Sequence, residues 1–215
     1  MTDRIGAREF YGSAGVGDWR VLNGGAWACA HFRIGSFVAG VALVQAIGEL
    51  AAVANHHPDV DLRPEGVTVR LFTHEFGGLS NRDVELARQV SAAARELGAS
   101  ADPSAVQHVQ VAIDALVISE VRPFWRAVLG YQDVGAEEVL DPHRLGPSFW
   151  FQQMDAPRPQ RNRIHIDVYL PHDQVEARIA AALAAGGQLV SDANAPKWWT
   201  LADAEGNEVE LAIWG

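Results

Sequence analysis

The chain has 215 residues, 48% hydrophobic and 20% charged, which suits one large or two small domains that need no disulfides and disfavours a disordered or membrane-embedded protein. Acidic residues outnumber basic ones 27 to 17, and the net charge of −10 repels phosphate backbones and anionic lipid, so neither nucleic acid nor a membrane is an expected partner. The single cysteine, Cys29, lies in an apolar run and reads as a small buried hydrophobe in a reducing compartment.

The first ten residues carry Asp3, Arg4, Arg8 and Glu9 where a secretory signal needs an apolar core, so a cytoplasmic location is expected. Trp19 to Leu22 and Trp27 to Phe32 read as two strands turning at Asn23, Gly24 and Gly25. From Ile34 to Ala54 the chain is apolar, but Gln45 and Glu49 interrupt it before the ~20 residues a bilayer span requires, and it reads as a core helix capped by Ser36. Its core stripe is expected on Phe37, Val41, Val44 and Gly48, with Leu43, Ile47, Leu50 and Ala54 beside it. Val67 to Phe72 alternates at strand period. A second helix starts at the capping box Ser80 and Asp83, with Leu79 and Val84 as its hydrophobic staple, and stops at Gly98. Ala99 to Ser104 then reads as a polar linker.

Beyond the linker, a strand, a helix and several strands occur twice. His108 to Ile113 is a strand, Val121 to Leu129 an amphipathic helix ending at Gly130, and strands follow near Val134, Val139 and Phe149 to Met154. The second round has a strand from Ile164 to Leu170, then a helix striped by Val175, Ile179, Ala182 and Leu183 that ends at Gly186. Strands near Leu189, Trp199 and Val209 to Trp214 complete it. Two tandem βαβββ units are the simplest account. The expected class is α+β, with one domain over 1–100 and a second over 105–215.

His56, His57 and Pro58 leave the first long helix, and His74 follows a strand. Neutral imidazole both donates and accepts protons near pH 7, so such a cluster suits acid and base chemistry on a hydroxyl leaving group; the plainer alternative is a set of solvated loop histidines. The series His56, His57, Pro58, Thr73, His74, Gly78, Leu79, Ser80 and Asp83, with Trp19 ahead of it, resembles the pterin-4a-carbinolamine dehydratase family over about Trp19 to Gly98. That resemblance implies helices on one side of an antiparallel sheet, self-association, and loss of water from a 4a-hydroxytetrahydropterin to give the quinonoid dihydropterin, with no cofactor required. It further implies that His56, His57 and His74 surround the leaving hydroxyl, that Pro58 shapes the pocket and that Asp83 hydrogen-bonds nearby, although the capping box alone accounts for an acid at that position. Ala52, Val60 and Pro64 depart from the family pattern, where polar or aromatic residues are usual.

The second half resembles the vicinal-oxygen-chelate superfamily of glyoxalase- and bleomycin-resistance-like proteins. The residues that carry this are Phe124, Trp125, Leu129, Gly130, the run Arg163 to Asp167, and the closing Asp203, Gly206, Asn207, Glu208 and Glu210. The resemblance implies a cupped sheet that often holds a divalent metal, with His108, His165 and Glu210 at the ligand places; Gln110 replaces His108 if the register differs by two. Two imidazoles and a carboxylate suit Fe, Mn, Ni or Zn with a bidentate substrate, whereas many members bind ligands without metal. Trp125, Trp150, Trp198, Trp199 and Trp214 serve as core or as stacking walls for a planar heterocycle. Beside dehydration, a metal-dependent lyase, isomerase or dioxygenase in the second domain and a non-catalytic binding protein are the competing readings.

Overall fold

The computed structural model describes residues 3–119, 122, 131–156, 164–184, 187–202 and 208–213, without the side chains of 164–166 and 202. The expected helix from Val121 to Gly130, the stop at Gly186, the Asp203 to Asn207 segment, Arg163, Trp125 and Trp214 fall outside this description, Arg122 excepted. The chain divides into two compact units, one running to Gln107 and one spanning His108–Ile213.

The first unit contains β1 (Arg4–Ile5), α1 (Ala7–Gly12), β2 (Arg20–Leu22), β3 (Trp27–Arg33), α2 (Phe37–Ala54), β4 (Asp59–Arg63), β5 (Gly66–Leu71), β6 (Leu79–Ser80), α3 (Asn81–Glu96) and β7 (Ser100–Ala101). An antiparallel sheet runs β2-β3-β5-β4, with β7 also on β3, while β1 pairs with β6. Period-two alternation sends Ala28, Ala30 and Phe32 of β3 and Val67, Val69 and Leu71 of β5 to one face, where they form a single core with α2 and α3.

On α3 the sequence signals act as expected. Ser80 Oγ accepts from the Arg82 amide at 3.2 Å, the Asp83 carboxylate accepts from the Ser80 amide at 2.8 Å, and Leu79 and Val84 are buried. Gly98 adopts φ 74°, the left-handed turn that ends this helix. Trp19 is fully buried, and its indole N–H donates to Ala87 O and Ser91 Oγ.

Two expectations need correction. The buried stripe of α2 is Gly40, Leu43, Ile47 and Ala51, whereas Phe37 and Val41 are 52% and 47% exposed and Gly48 also faces out. Counting apolar residues around this helix misplaces its inner face, although its polar pair, Gln45 and Glu49, is exposed opposite the buried stripe. Close approach selects the face instead: a Cβ on Gly40 would stand 2.5 Å from Leu62 Cδ1. Ala99 to Ser104, in turn, is no free linker. Ser100 and Ala101 pair with Arg33 and Phe32, the Asp102 amide donates to His31 O at 2.8 Å, and Asp102 Oδ2 accepts from Arg33 Nε at 2.7 Å. Polar residues and a proline read as a linker only until their backbone groups find a sheet edge.

The second unit contains β8 (His108–Ala115), β9 (Gln132–Val134), β10 (Glu138–Leu140), β11 (Ser148–Gln153), β12 (Ile164–Tyr169), α4 (Val175–Ala184), β13 (Gln188–Ser191), β14 (Trp198–Ala202) and β15 (Glu208–Ala212). They form an eight-stranded sheet in the order β13-β14-β15-β12-β8-β11-β10-β9. The first strands of the two repeats, β8 and β12, pair antiparallel at the centre, and each pairs in parallel with the last strand of its own repeat, β11 or β15. The repeat too faint to establish from the residues is therefore explicit in the topology. One sheet face buries Ile113, Val139 and Phe151 in one cluster and Leu201 and Leu211 in another, the latter with Val175 and Ile179 of α4. Leu183, expected on that stripe, is 40% exposed.

Candidate functional site

In the first unit the site begins at the end of α2. Asn55 takes the left-handed conformation, φ 46° and ψ 42°, and the His56 amide donates back to Ala51 O at 3.1 Å. This reversal turns His56 inward, to 3% exposure, while His57 stays exposed and Pro58 half-buried. A pair of adjacent histidines is thus split into one inside and one outside residue.

His56 Nε2 lies 2.7 Å from Asp83 Oδ1. The other carboxylate oxygen, Oδ2, accepts from the Ser80 amide at 2.8 Å and from Thr73 Oγ1 at 2.8 Å, with Ser80 Oγ at 3.1 Å. Asp83, fully buried at the third position of α3, therefore joins helix cap, strand exit and imidazole in one network. Because the Ser80 amide only donates and a carboxylate only accepts, His56 carries a proton on Nε2.

His74 follows Thr73 at the exit of β5. It is exposed, its ring lies 4.2 Å from that of Phe72, and its Nε2–H donates to His57 O at 3.3 Å. Glu75 beside it accepts from Arg82 at 2.9 Å, and a backbone amide bond together with that guanidinium holds its carboxyl below the usual range. The fold thus gathers His56, His57, His74 and Asp83 at one place, with Pro58 adjoining. Reading the residues alone paired Ser80 with Asp83 through the capping box but missed Thr73 as a second clamp on that carboxylate; the signal was the threonine beside His74, whose hydroxyl the strand's exit turns inward.

Of the positions that depart from the family pattern, Ala52 and Pro64 are exposed and Val60 packs against the first core. Cys29 is buried, and desolvation pushes its thiol up to about 11, which leaves it no nucleophile near neutral pH.

In the second unit, the expected metal ligands fall on three successive rows of the sheet. His108 lies opposite Tyr169, Glu210 stands in the row of Gln110 and Asp167, and His165 lies opposite Ala112. His108 and His165 are thus separated by about 13 Å of strand. The row through Ser148, Gln110, Asp167, Glu210 and Thr200 is polar throughout. Gln110 donates to Ser148 Oγ at 2.8 Å and to Glu138 Oε1 at 3.0 Å and accepts from Tyr169 Oη at 3.0 Å, while His108 Nε2 bonds Ser148 Oγ at 3.2 Å. Burial raises the Glu138 carboxyl. Asp167, 3% exposed, is pushed up to about 7 by burial, with the Glu210 and Asp114 charges adding to the effect. Among the described residues, which leave out the His165 side chain, no group of His, Cys, Asp and Glu is arranged to hold a metal ion, and no chemistry is derived through one. Trp150 and Trp198 share this polar face by register, whereas Trp199 packs into the core.

Comparison with known proteins follows the same division. A family model described as Pterin 4 alpha carbinolamine dehydratase matches residues 8–93, and one described as Glyoxalase-like domain matches residues 110–212. A protein of Nocardia farcinica, provisionally named a pterin-4-alpha-carbinolamine dehydratase, is 52% identical over 60 residues, covering 28% of this chain and 63% of its own length. The chain thus spans less than two thirds of that relative. One of Chloroflexus aggregans with the same provisional name is 38% identical over 73 residues, covering 34% of this chain and 77% of its own. The crystal structure of a transcriptional coactivator/pterin dehydratase from Brucella melitensis is similar at 24% identity and TM-score 0.37, over 40% of this chain and 90% of that one.

Proposed function

The chain belongs to the pterin 4 alpha carbinolamine dehydratase family through its first unit and carries a glyoxalase-like domain in its second, and on that premise we propose that the first unit dehydrates a 4a-hydroxytetrahydropterin. The observation that supports this reading most is the His56 imidazole held inside against the buried Asp83 carboxylate, next to the exposed His57, whose backbone oxygen takes the bond of the exposed His74 ring.

Dehydration asks for an acid and a base. One group gives a proton to the 4a-hydroxyl, the carbon–oxygen bond breaks, water leaves, and a ring nitrogen passes its proton to a second group, so the products are quinonoid dihydropterin and water. The step is redox-neutral, and the proposal calls for no cofactor. His57 and His74, exposed beside each other, are the groups that meet the hydroxyl; His56, its Nε2 proton fixed by Asp83, presents Nδ1 as an acceptor; Pro58 shapes the rim. The second unit, with its polar row and two indoles on one sheet face, is a binding domain for a small molecule in this reading. Self-association and a cytoplasmic location belong to the same proposal.

The test is a stopped-flow assay of dehydration. Wild-type protein should accelerate loss of water, and His57→Ala and His74→Ala should each slow it by about a hundredfold.

A further inference from the structure

We infer that Thr73 is a positioning residue whose hydroxyl orients the Asp83 carboxylate that holds the His56 imidazole; this rests on the dehydratase reading for its effect on rate. Thr73 Oγ1 donates to Asp83 Oδ2 at 2.8 Å and lies 2.7 Å from Ser80 Oγ, and all three residues are fully buried. Each hydroxyl has one proton to give. With the Thr73 proton on Asp83, the Ser80 proton turns to the nearer acceptor, Thr73 Oγ1, in preference to Asp83 Oδ2 at 3.1 Å. The chain Ser80 to Thr73 to Asp83 then runs one way and ends at the carboxylate.

Its consequence is orientation. Oδ2 is occupied by the Ser80 amide and the Thr73 hydroxyl, so Oδ1 is the oxygen aimed at His56 Nε2, 2.7 Å away. A carboxylate pinned at one oxygen keeps the other in one place, and the His56 ring bonded to it is held in one orientation. Thr73 is well placed to hold this register, since its backbone opens the turn that carries His74: its amide donates to Gly78 O at 2.7 Å and its carbonyl accepts from the Gly77 amide at 3.0 Å. One residue thus links the conformation of the exposed imidazole with the orientation of the buried one.

Nitrogen-15 spectra of the histidine rings in the full-length protein test this, alongside kcat and KM for dehydration. In the wild type, neutral His56 should show a protonated Nε2 and a bare Nδ1. Thr73→Val, which keeps the shape and removes the hydroxyl, should loosen the carboxylate, seen as an upfield shift of the Nε2-bound proton, and lower kcat about tenfold at unchanged KM, and Thr73→Ser should restore both. A wild-type neutral His56 protonated on Nδ1 would overturn the inference without any variant, as would a Thr73→Val protein whose Nε2-bound proton and kcat match the wild type. Should Thr73→Val not fold, Thr73→Ala carries the same expectation. A wild type with the expected tautomer but no dehydration would instead remove the proposed activity and leave the positioning role standing.

Discussion

Replacing Asp83 by Asn changes one atom in a site where every donor is fixed. At the Oδ2 position the side chain must accept from the Ser80 amide at 2.8 Å, and that N–H has no other role open to it, so the introduced carboxamide is obliged to keep its oxygen there. Its NH2 group then faces His56 Nε2 at the 2.7 Å separation that Oδ1 now occupies. Two donors confront each other until His56 moves its proton to Nδ1, after which the ring accepts from the carboxamide and loses the acceptor it offered. The helix cap survives, so the stability cost should be about 1–2 kcal/mol, the scale of exchanging a charged for a neutral hydrogen bond. Turnover should fall far more, by about 10²–10⁴-fold, because a base in the wrong tautomer is absent for the reaction. Asp83→Ala, which strands three buried donors, should cost about 3–5 kcal/mol. Urea unfolding measures the first quantity and stopped-flow dehydration the second. A folded Asp83→Asn protein working within about threefold of wild type would refute the reasoning, since it would mean that His56 does not depend on Asp83 for its proton.

Asp167 predicts a pH effect on stability. Its carboxyl is raised to about 7 in the fold, against about 3.9 unfolded, so its contribution is fully present below about pH 4 and is lost as pH rises through 7, on the order of a few kcal/mol. Asp167→Asn should therefore unfold at higher urea than wild type at pH 8.5 and at similar urea near pH 4, and parallel pH profiles would contradict this. Cys29, buried and with its thiol near 11, should not react with an aromatic disulfide reagent at pH 8 until denaturant is added; prompt labelling of the native protein would show that β3 is open. Separating the chain between Gln107 and His108 should give two fragments that each unfold cooperatively, whereas a cut within Ala99 to Ser104 should destabilise the first by removing β7 from the edge of β3.

What the residues disclose depends on contrast. On α3, charges along one side and a capping box at the start mark both the boundary and the buried face, and Val84, Ala87, Val90 and Ala94 lie where the period places them. On α2 the contrast is confined to one polar pair, Gln45 and Glu49, which lies opposite the buried face and is outnumbered by apolar residues on every other side, so the stripe through Phe37, Val41, Val44 and Gly48 is a misreading. The histidines were legible as a group because His56, His57 and His74 recur at the spacing of a known family. Their inside and outside roles were not, since they follow from a left-handed turn at Asn55 that the residues before and after it do not dictate. The second sheet shows the same limit. Alternation identifies His108, Gln110 and Asp167 as strand residues, but which of them share a row depends on pairing between strands distant in sequence, and two residues of register separate a His108 row from a Gln110 row.

The most direct measurement of the proposed activity is the single-turnover rate of water loss from 4a-hydroxytetrahydropterin by the full-length protein, followed by stopped-flow absorbance beside His57→Ala and His74→Ala. Acceleration over the uncatalysed rate by the wild type, reduced about a hundredfold in each variant with the fold retained by circular dichroism, is the predicted result. Wild-type and variant proteins that lose water at one common rate while remaining folded would contradict it, and His56, His57 and His74 would then need another task.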